Sequence, residues 1–224
     1  MKLFIDHADI QKIRQLYEYY PLDGVTTNPS ILAAAGEEPY ALLCRIRELI
    51  GKDSELHVQV ISREAEQMVE EGLRITQLLG ENTYVKVPAV KEGLKAIPLL
   101  RQAGCHVTAT AIYTPMQAFL AAKAGAEYAA PYVNRIDDLG GDGVETVRTI
   151  QDMFTANGLQ TRILAASFKN TRQVQALCDC GIGAATLSPD VMEKLLKNAS
   201  VDAAVEKFRA DFEDLCGPDA TMLR

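Results

Sequence analysis

Short apolar runs alternate along the chain with longer segments in which apolar residues recur at helical spacing. Eight runs have the β-branched and apolar composition of buried strands: KLFID, DGVTT, ELHVQVI, TYVKVP, HVTATAIY, EYAAPYV, TRILAAS and GAATLS. Between them lie segments such as Ala65–Leu79, where apolar side chains three and four positions apart form one face of a helix. The pattern therefore predicts a strand followed by a helix, repeated eight times.

Turn residues mark the expected ends and starts of these helices. Glycine separates a predicted helix from the next strand at six places: Gly51, Gly80, Gly104, Gly125, Gly158 and Gly181. Helices often end in a residue of left-handed conformation, which glycine adopts easily. Thr114-Pro115 and Ser188-Pro189 each follow a strand, and a hydroxyl residue before proline favours the start of a helix.

This repeating order predicts an α/β fold with a parallel sheet, and eight units suit a closed (β/α)8 TIM barrel. We expect residues 1–224 to form a single domain of this kind. An open, doubly wound sheet is the alternative, although the dinucleotide fingerprint G-x-G-x-x-G is missing after the first strand. We interpret the glycine-rich stretch 140–143 as a loop before a helix.

One amphipathic segment, residues 201–215, remains beyond the eighth unit. Its apolar stripe consists of Val201, Ala204, Val205, Phe208, Phe212 and Leu215. The stripe predicts an additional C-terminal helix, which either closes the bottom of the barrel or packs on a neighbouring subunit.

Composition narrows the possible partners and the compartment. Hydrophobic residues make up 48% of the chain, enough for a substantial core, and the net charge of −7 argues against nucleic acid and anionic membranes as partners. The sequence MKLFIDHADI lacks a signal-peptide pattern, and no run approaches the length of a membrane span. The five cysteines have neither disulfide nor zinc spacing. We therefore expect a reduced, cytoplasmic protein.

Lys86 interrupts the apolar strand NTYVKVPAV. Alternate residues of a strand face opposite sides, so Val85 and Val87 should face the helices and Lys86 the barrel interior. Desolvation lowers the pKa of a lysine from its solvated value of ~10.4. A neutral amine can attack a ketone and form a Schiff base. The alternative is a structural lysine, which would need a carboxylate partner.

Polar residues with the same inward position occur near the ends of other predicted strands: Asp6, Thr26, Asn28, His57, Gln59, Thr108, Thr110, Tyr132 and Ser167. Active sites of this fold lie at the carboxyl ends of the strands, so these side chains could face one mouth. Ordinary structural explanations exist for several of them, since serine or threonine can cap a helix and Asn28 precedes Pro29. Nothing in the sequence suggests a pyridoxal or metal cofactor, and the three histidines lie on different strands, so a zinc site is not expected.

Five strings, LFIDHADI, GVTTNPSI, YVKVP, AGAEYAAPYVNRIDDLGGDG and LAASFK, resemble the small transaldolase family, most closely its fructose 6-phosphate aldolase branch. The resemblance extends from Leu3 to about Phe212. It implies a single-domain barrel with Schiff-base chemistry and no metal or other cofactor. It also implies a homo-oligomer, a pentamer or decamer, in which the C-terminal helix reaches a neighbouring subunit.

The resemblance also implies a role for each matching residue. It implies that Lys86 forms the Schiff base and that Asp6 handles the proton of the hydroxyl next to the cleaved bond. The residues implied to hold a catalytic water are Gln59, Thr110 and Tyr132. Thr26 and Asn28 are implied to bind the hydroxyls of the donor, which is the dihydroxyacetone part of the substrate. Arg135 and Ser167 are implied to bind the phosphate, with Lys169 as a helper.

Two positions distinguish the branches of this family. Transaldolases of this family carry glutamate and phenylalanine at these positions. This chain has Gln59 and Tyr132, which are the residues of the aldolase branch. Glutamine orients a water but cannot take a proton, so the aldolase branch is favoured. The chain departs from the family at His7, at His57 in place of phenylalanine and at Thr108 in place of leucine. We interpret the last two as substrate contacts in a more polar pocket.

The leading hypothesis is a class I aldolase that reversibly cleaves fructose 6-phosphate, or a similar ketose phosphate, to dihydroxyacetone and glyceraldehyde 3-phosphate. One alternative is a transaldolase that transfers a dihydroxyacetone unit between sugar phosphates. The other is a barrel that binds sugar phosphates without catalysis. The small-molecule substrate is the only partner expected apart from further copies of the chain.

Overall fold

The computed structural model describes residues 1–223 and arranges eight parallel strands in a closed barrel, in which each strand pairs with the next and the eighth with the first. The strands are β1 (Lys2–Asp6), β2 (Gly24–Thr26), β3 (Glu55–Gln59), β4 (Thr83–Pro88), β5 (His106–Ile112), β6 (Tyr128–Pro131), β7 (Arg162–Ala165) and β8 (Ala184–Leu187). The predicted (β/α)8 TIM barrel is confirmed, and the open sheet is excluded. The predicted range 1–224 ends at a residue that lies outside the described part.

Helices follow every strand. They are α1 (Ile10–Tyr19), α2 (Pro29–Ala35), α3 (Pro39–Ile50), α4 (Ala65–Leu79), α5 (Lys91–Gln102), α6 (Pro115–Lys123), α7 (Val133–Asp138), α8 (Gly143–Ala156), α9 (Thr171–Asp179), α10 (Pro189–Lys194) and α11 (Ala199–Cys216). Helix α4 has its predicted bounds, and α11 is the predicted additional helix, slightly longer than residues 201–215. Two helices instead of one separate β2 from β3 and β6 from β7.

The predicted helix starts and ends are found, although only one of the two predicted caps uses its side chain. Thr114 caps α6 in a reciprocal capping box with Gln117, and Ser188 stands at the cap position of α10. All six glycines predicted at helix ends have a positive φ, between 61° and 101°. The six helices before these glycines therefore end where the chain turns back towards the barrel.

Side chains of each strand divide between two regions. Outward residues such as Val85 and Val87 are fully buried against the helices. Inward residues fill the barrel, where Phe4, Tyr84 and Tyr128 pack with Leu164 and two alanines. In this fold, side chains from alternate strands fill the interior of the barrel in layers. Lys86, between two outward valines, therefore belongs to the interior.

Helix α11 presents an uncovered apolar face. None of its residues is buried, and Val201, Val205, Phe208 and Leu215 are between 54% and 81% exposed. This exposure argues against the expectation that the helix closes the bottom of the barrel, because closure would bury the stripe. Of the helices in residues 1–223, none has both the length and the apolarity to cross a membrane.

Candidate active site

Lys86 lies inside the barrel near the carboxyl end of β4 and is only 5% exposed. Its Nζ donates a hydrogen bond to the main-chain oxygen of Thr27, at 2.7 Å. Burial lowers the pKa of the Lys86 amine below its usual range, the nearby charge of Asp6 opposes this shift, and that of Arg135 adds to it. The amine bonds a neutral carbonyl instead of a carboxylate, so the geometry favours a reactive over a structural lysine.

The carboxylate of Asp6 faces the same interior from the end of β1. Its Oδ1 accepts a hydrogen bond from the Thr26 hydroxyl at 2.6 Å. The Thr26 oxygen lies 2.7 Å from the hydroxyl of Thr186 on β8. Sequence analysis did not single out Thr186, although its inward position in the run GAATLS is the same kind of signal that selected Thr26.

Asn28 follows β2 and caps α2, since its side-chain oxygen accepts a hydrogen bond from the main-chain N–H of Ile31 at 3.0 Å. This is the structural explanation that the following proline suggested. Because the cap uses the carbonyl oxygen, the side-chain amide N–H groups are the donors that Asn28 can offer to a ligand. Its contact with donor hydroxyls stays a prediction.

Thr110 and Tyr132 meet at the mouth, with their hydroxyl oxygens 3.1 Å apart. The β5–β6 register shifts between Ala109 and Ile112, and Ala111 has a φ of 58°, which is uncommon outside glycine. Such irregularities change the direction of side chains near active sites. The third predicted water ligand, Gln59, pairs in register with Lys86, but within residues 1–223 it shares no recorded hydrogen bond with either hydroxyl.

Arg135 lies on α7, with its guanidinium 4.6 Å from the centre of the Tyr132 ring. A hydrogen bond with the Tyr113 side chain raises the pKa of Arg135, and the Tyr113 ring also packs edge-on against Tyr132. Tyr113 is a further mouth residue that sequence analysis missed, because it ends the predicted run HVTATAIY, in which strict alternation places it on the side opposite to Thr110. The strand instead ends at Ile112, after the register shift.

The other predicted phosphate ligands lie on the segment after β7. Ser167 has a φ of 62°, a strained conformation that non-glycine residues retain mainly at functional sites. Its main-chain oxygen accepts a hydrogen bond from Asn134 N–H, which joins this segment to α7 and therefore to Arg135. Lys169 is exposed on the same segment. The three predicted residues thus occupy two adjoining segments of the mouth.

His57, predicted as a substrate contact, is fully buried below the mouth. Its Nδ1 lies 2.9 Å from the Thr108 hydroxyl, and its Nε2 lies 3.2 Å from the Glu55 carboxylate. The ring also stacks on Tyr84. Both nitrogens are used inside the barrel, so His57 could bond a substrate only if one of these hydrogen bonds broke. Thr108, the other predicted contact, is likewise fully buried and is paired in register with Lys86.

Glu55 connects His57 to the bottom of the barrel. Its carboxylate lies 2.5 Å from the Lys2 ammonium and accepts a hydrogen bond from the Tyr128 hydroxyl at 3.4 Å. Burial raises the pKa of Glu55, but hydrogen bonds from His57 and Lys2 prevail and lower it to about 2. Burial lowers the pKa of His57 to about 4. The imidazole is therefore neutral at pH 7, and it lies beside an ionised carboxylate.

The residues that could hold a metal ion are dispersed. In residues 1–223, no group of three or more histidine, cysteine and acidic side chains is placed to bind one. The polar groups at the mouth are instead an amine, a carboxylate, hydroxyls and a guanidinium. This set can form a covalent adduct with a carbonyl, move a proton and bind an anion.

Comparison with known protein families identifies a match. The family model described as transaldolase/fructose-6-phosphate aldolase matches residues 3–219. The matched range includes all eight strands, apart from Lys2 at the start of β1, and every candidate site residue described above.

Proposed function

Because the chain belongs to the transaldolase/fructose-6-phosphate aldolase family, which consists of Schiff-base enzymes, we propose that it is a class I aldolase acting through Lys86. The substrate is fructose 6-phosphate or a similar ketose phosphate, and the products are dihydroxyacetone and glyceraldehyde 3-phosphate. The observation that carries this proposal is the buried Lys86 amine, whose pKa burial lowers, within reach of the Asp6 charge. Desolvation supplies the neutral amine that attack on a ketone requires.

The proposed reaction begins when the Lys86 amine adds to the substrate ketone and water leaves, which gives a protonated imine. Asp6 then takes the proton of the hydroxyl on the carbon that leaves, which is one of the two carbons of the bond that breaks. The oxygen electrons form the carbonyl of the leaving aldehyde, and the electrons of the carbon–carbon bond pass to the imine and give an enamine. Protonation of the enamine and hydrolysis of the imine release dihydroxyacetone and restore Lys86.

Thr110 and Tyr132 are proposed to hold the water that takes part in the last steps, together with Gln59. Their hydroxyls are close enough to share one water molecule, since the two oxygens lie 3.1 Å apart. Arg135 is proposed to bind the phosphate with Ser167 and Lys169, because a guanidinium fork matches the phosphate oxygens.

Gln59 and Tyr132 favour free release of dihydroxyacetone over its transfer to another sugar. Glutamine cannot itself accept a proton, so a bound water must mediate proton transfer at this position. The decisive assay supplies fructose 6-phosphate without any acceptor aldehyde and measures free dihydroxyacetone. We expect its release at a steady rate. Strict dependence of turnover on an added acceptor would instead identify a transaldolase.

Borohydride reduction in the presence of dihydroxyacetone tests the Schiff base itself. We expect peptide mass mapping to locate the reduced adduct on Lys86. An unmodified Lys86, together with tight binding of the sugar phosphate and no turnover, would identify the non-catalytic alternative.

A further inference from the structure

Two threonine hydroxyls form a chain that ends on the Asp6 carboxylate. Thr26 Oγ1 lies 2.6 Å from Asp6 Oδ1, and Thr186 Oγ1 lies 2.7 Å from Thr26 Oγ1. Thr26 is 0% exposed and Thr186 is 3% exposed, so bulk water does not compete for either hydroxyl. The chain crosses the inner face of β1, because β2 and β8 are the two neighbours of that strand.

The direction of both hydrogen bonds follows from the chemistry of the groups. An ionised carboxylate can only accept, so Thr26 donates its single hydroxyl proton to Asp6. The Thr26 oxygen then has only lone pairs to offer, so Thr186 donates to Thr26. Both hydroxyl protons of the chain therefore point towards Asp6. Hydrogen bonds arranged in this way polarise and strengthen one another.

The chain limits what Asp6 and Thr26 can do at the site. The hydrogen bond from Thr26 uses one lone pair of Asp6 Oδ1 and makes that oxygen less basic, so Oδ2 is the better acceptor of a substrate proton. Thr26 has no proton left to donate to the substrate. It can therefore only accept a hydrogen bond from a hydroxyl of the dihydroxyacetone part of the substrate. Thr186 touches neither oxygen of Asp6 in the recorded contacts and acts on them only through Thr26.

We propose that Thr186 is a positioning residue, which fixes the Thr26 hydroxyl on Asp6 Oδ1 and so directs the substrate proton to Oδ2. The proposal rests on the function proposed above. In the cleavage step the substrate O–H bond breaks and its proton goes to Oδ2. The oxygen electrons complete the aldehyde carbonyl, and the carbon–carbon electron pair passes to the enamine on Lys86.

Thr186→Val tests this role, because valine keeps the shape of threonine and removes the hydroxyl. We expect kcat for cleavage of fructose 6-phosphate to fall about tenfold, with KM changed less than about twofold, because proton transfer is affected and substrate binding is not. Borohydride trapping on Lys86 should be unchanged.

Three further variants control this experiment. Thr186→Ser retains the hydroxyl and should restore the wild-type kcat. Thr83→Val removes another fully buried threonine hydroxyl, at the amino end of β4, and should leave activity unchanged. If Thr186→Val does not fold, Thr186→Cys provides the same test with a weak donor in place of a strong one.

A double-mutant cycle shows whether Thr186 acts through Thr26. The pair Thr26→Val and Thr186→Val should reduce kcat no more than Thr26→Val alone. Multiplied effects of the two changes would overturn the proposal, as would a wild-type kcat in Thr186→Val or an equal loss in Thr186→Ser.

Crystal structures of the variants separate this proposal from the proposed function. In Thr186→Val the Thr26 hydroxyl should have turned away from Asp6 Oδ1, and in Thr186→Ser it should have kept its place. A Thr26–Asp6 bond unchanged at 2.6 Å in Thr186→Val would overturn the positioning role whatever reaction the enzyme performs. Absence of trapping and of cleavage in the wild type would overturn the proposed function alone.

Discussion

Removing the Lys86 ammonium from water costs free energy, and the same desolvation makes a neutral amine available for attack on a carbonyl. Strand alternation was enough to place Lys86, Asp6 and Thr110 in the interior from sequence. It did not reveal what lies beneath them, because Glu55 belongs to the same parity but looked like an ordinary charged residue at the start of a strand. A buried glutamate becomes interpretable only when its partners, Lys2 and His57, are known.

Replacement of Lys86 by arginine should abolish the Schiff base, because a guanidinium stays protonated and cannot attack a ketone. We expect no borohydride adduct and a fall in cleavage rate of at least about a thousandfold. Lys91→Arg, an exposed lysine at the start of α5, is the matched control and should keep wild-type activity. Persistent activity in Lys86→Arg would show that another group performs the chemistry.

Stability should fall in acid because of His57. Its folded-state pKa of about 4 lies below the ordinary value of 6.5, so between these pH values the unfolded chain binds a proton that the folded chain does not. Titration of His57 therefore does not reduce the free energy of unfolding above pH 6.5. Below that value the free energy of unfolding decreases as the pH falls towards 4, by at most about 1.4 kcal/mol per pH unit. The charges that face the ring are Glu55, Lys86 and Arg162.

Urea unfolding at a series of pH values measures this slope. His57→Phe keeps a ring among Phe4, Tyr84 and Tyr128 and removes the titration. We expect a flatter dependence on pH in the variant between pH 6.5 and pH 4.5, below which protonation of Glu55 adds its own loss. An equally steep dependence in the variant would assign the acid sensitivity to other groups.

At the scale of strands and helices, the sequence patterns that depend on the local conformation of the backbone gave reliable predictions. The eight predicted strands were found with ends within two residues, and the six glycines adopt the expected positive φ. The register shift at Ala109–Ile112 was not predictable, because it depends on how β5 meets β6 and leaves no trace in the alternation. That shift nevertheless helps to place Thr110 at the mouth.

The two threonine or serine caps followed by proline should differ in strength. Thr114 accepts a hydrogen bond from Gln117 N–H and completes a capping box, whereas the Ser188 side chain makes no cap hydrogen bond. We expect Thr114→Ala to reduce the free energy of unfolding by about 1 kcal/mol and Ser188→Ala by about 0.3 kcal/mol or less. Denaturant unfolding of both variants measures these losses. Equal losses of unfolding free energy would show that the cap position matters more than the side-chain hydrogen bond of the cap.

At the scale of the whole molecule, barrel closure followed from counting eight strand–helix units, because that number suits a closed sheet. Association between copies is less accessible to this reasoning, since it depends on surfaces that a single chain leaves open. The exposed stripe of α11, with Phe208 69% and Leu215 81% exposed, is consistent with the homo-oligomer that we propose. Contiguous apolar surface of this kind marks an interaction site.

Phe208→Glu should therefore dissociate the oligomer, because burial of a carboxylate in an apolar contact is costly. Sedimentation or light scattering should show a wild-type assembly and a smaller species for the variant. Lys207→Glu changes charge at an exposed neighbouring position and should leave the assembly intact. A wild-type monomer would refute the proposed assembly.

Closure of the barrel also sets an order in time. Strand β1 pairs with β2, which follows it closely along the chain, and with β8, which follows all the other strands. Thr186, the second hydroxyl of the chain to Asp6, is carried by β8. A ribosome therefore delivers Lys86 and Asp6 long before it delivers the residue that completes their surroundings. Contacts between such distant segments form late in folding, so catalytic competence should arrive only with the final strand.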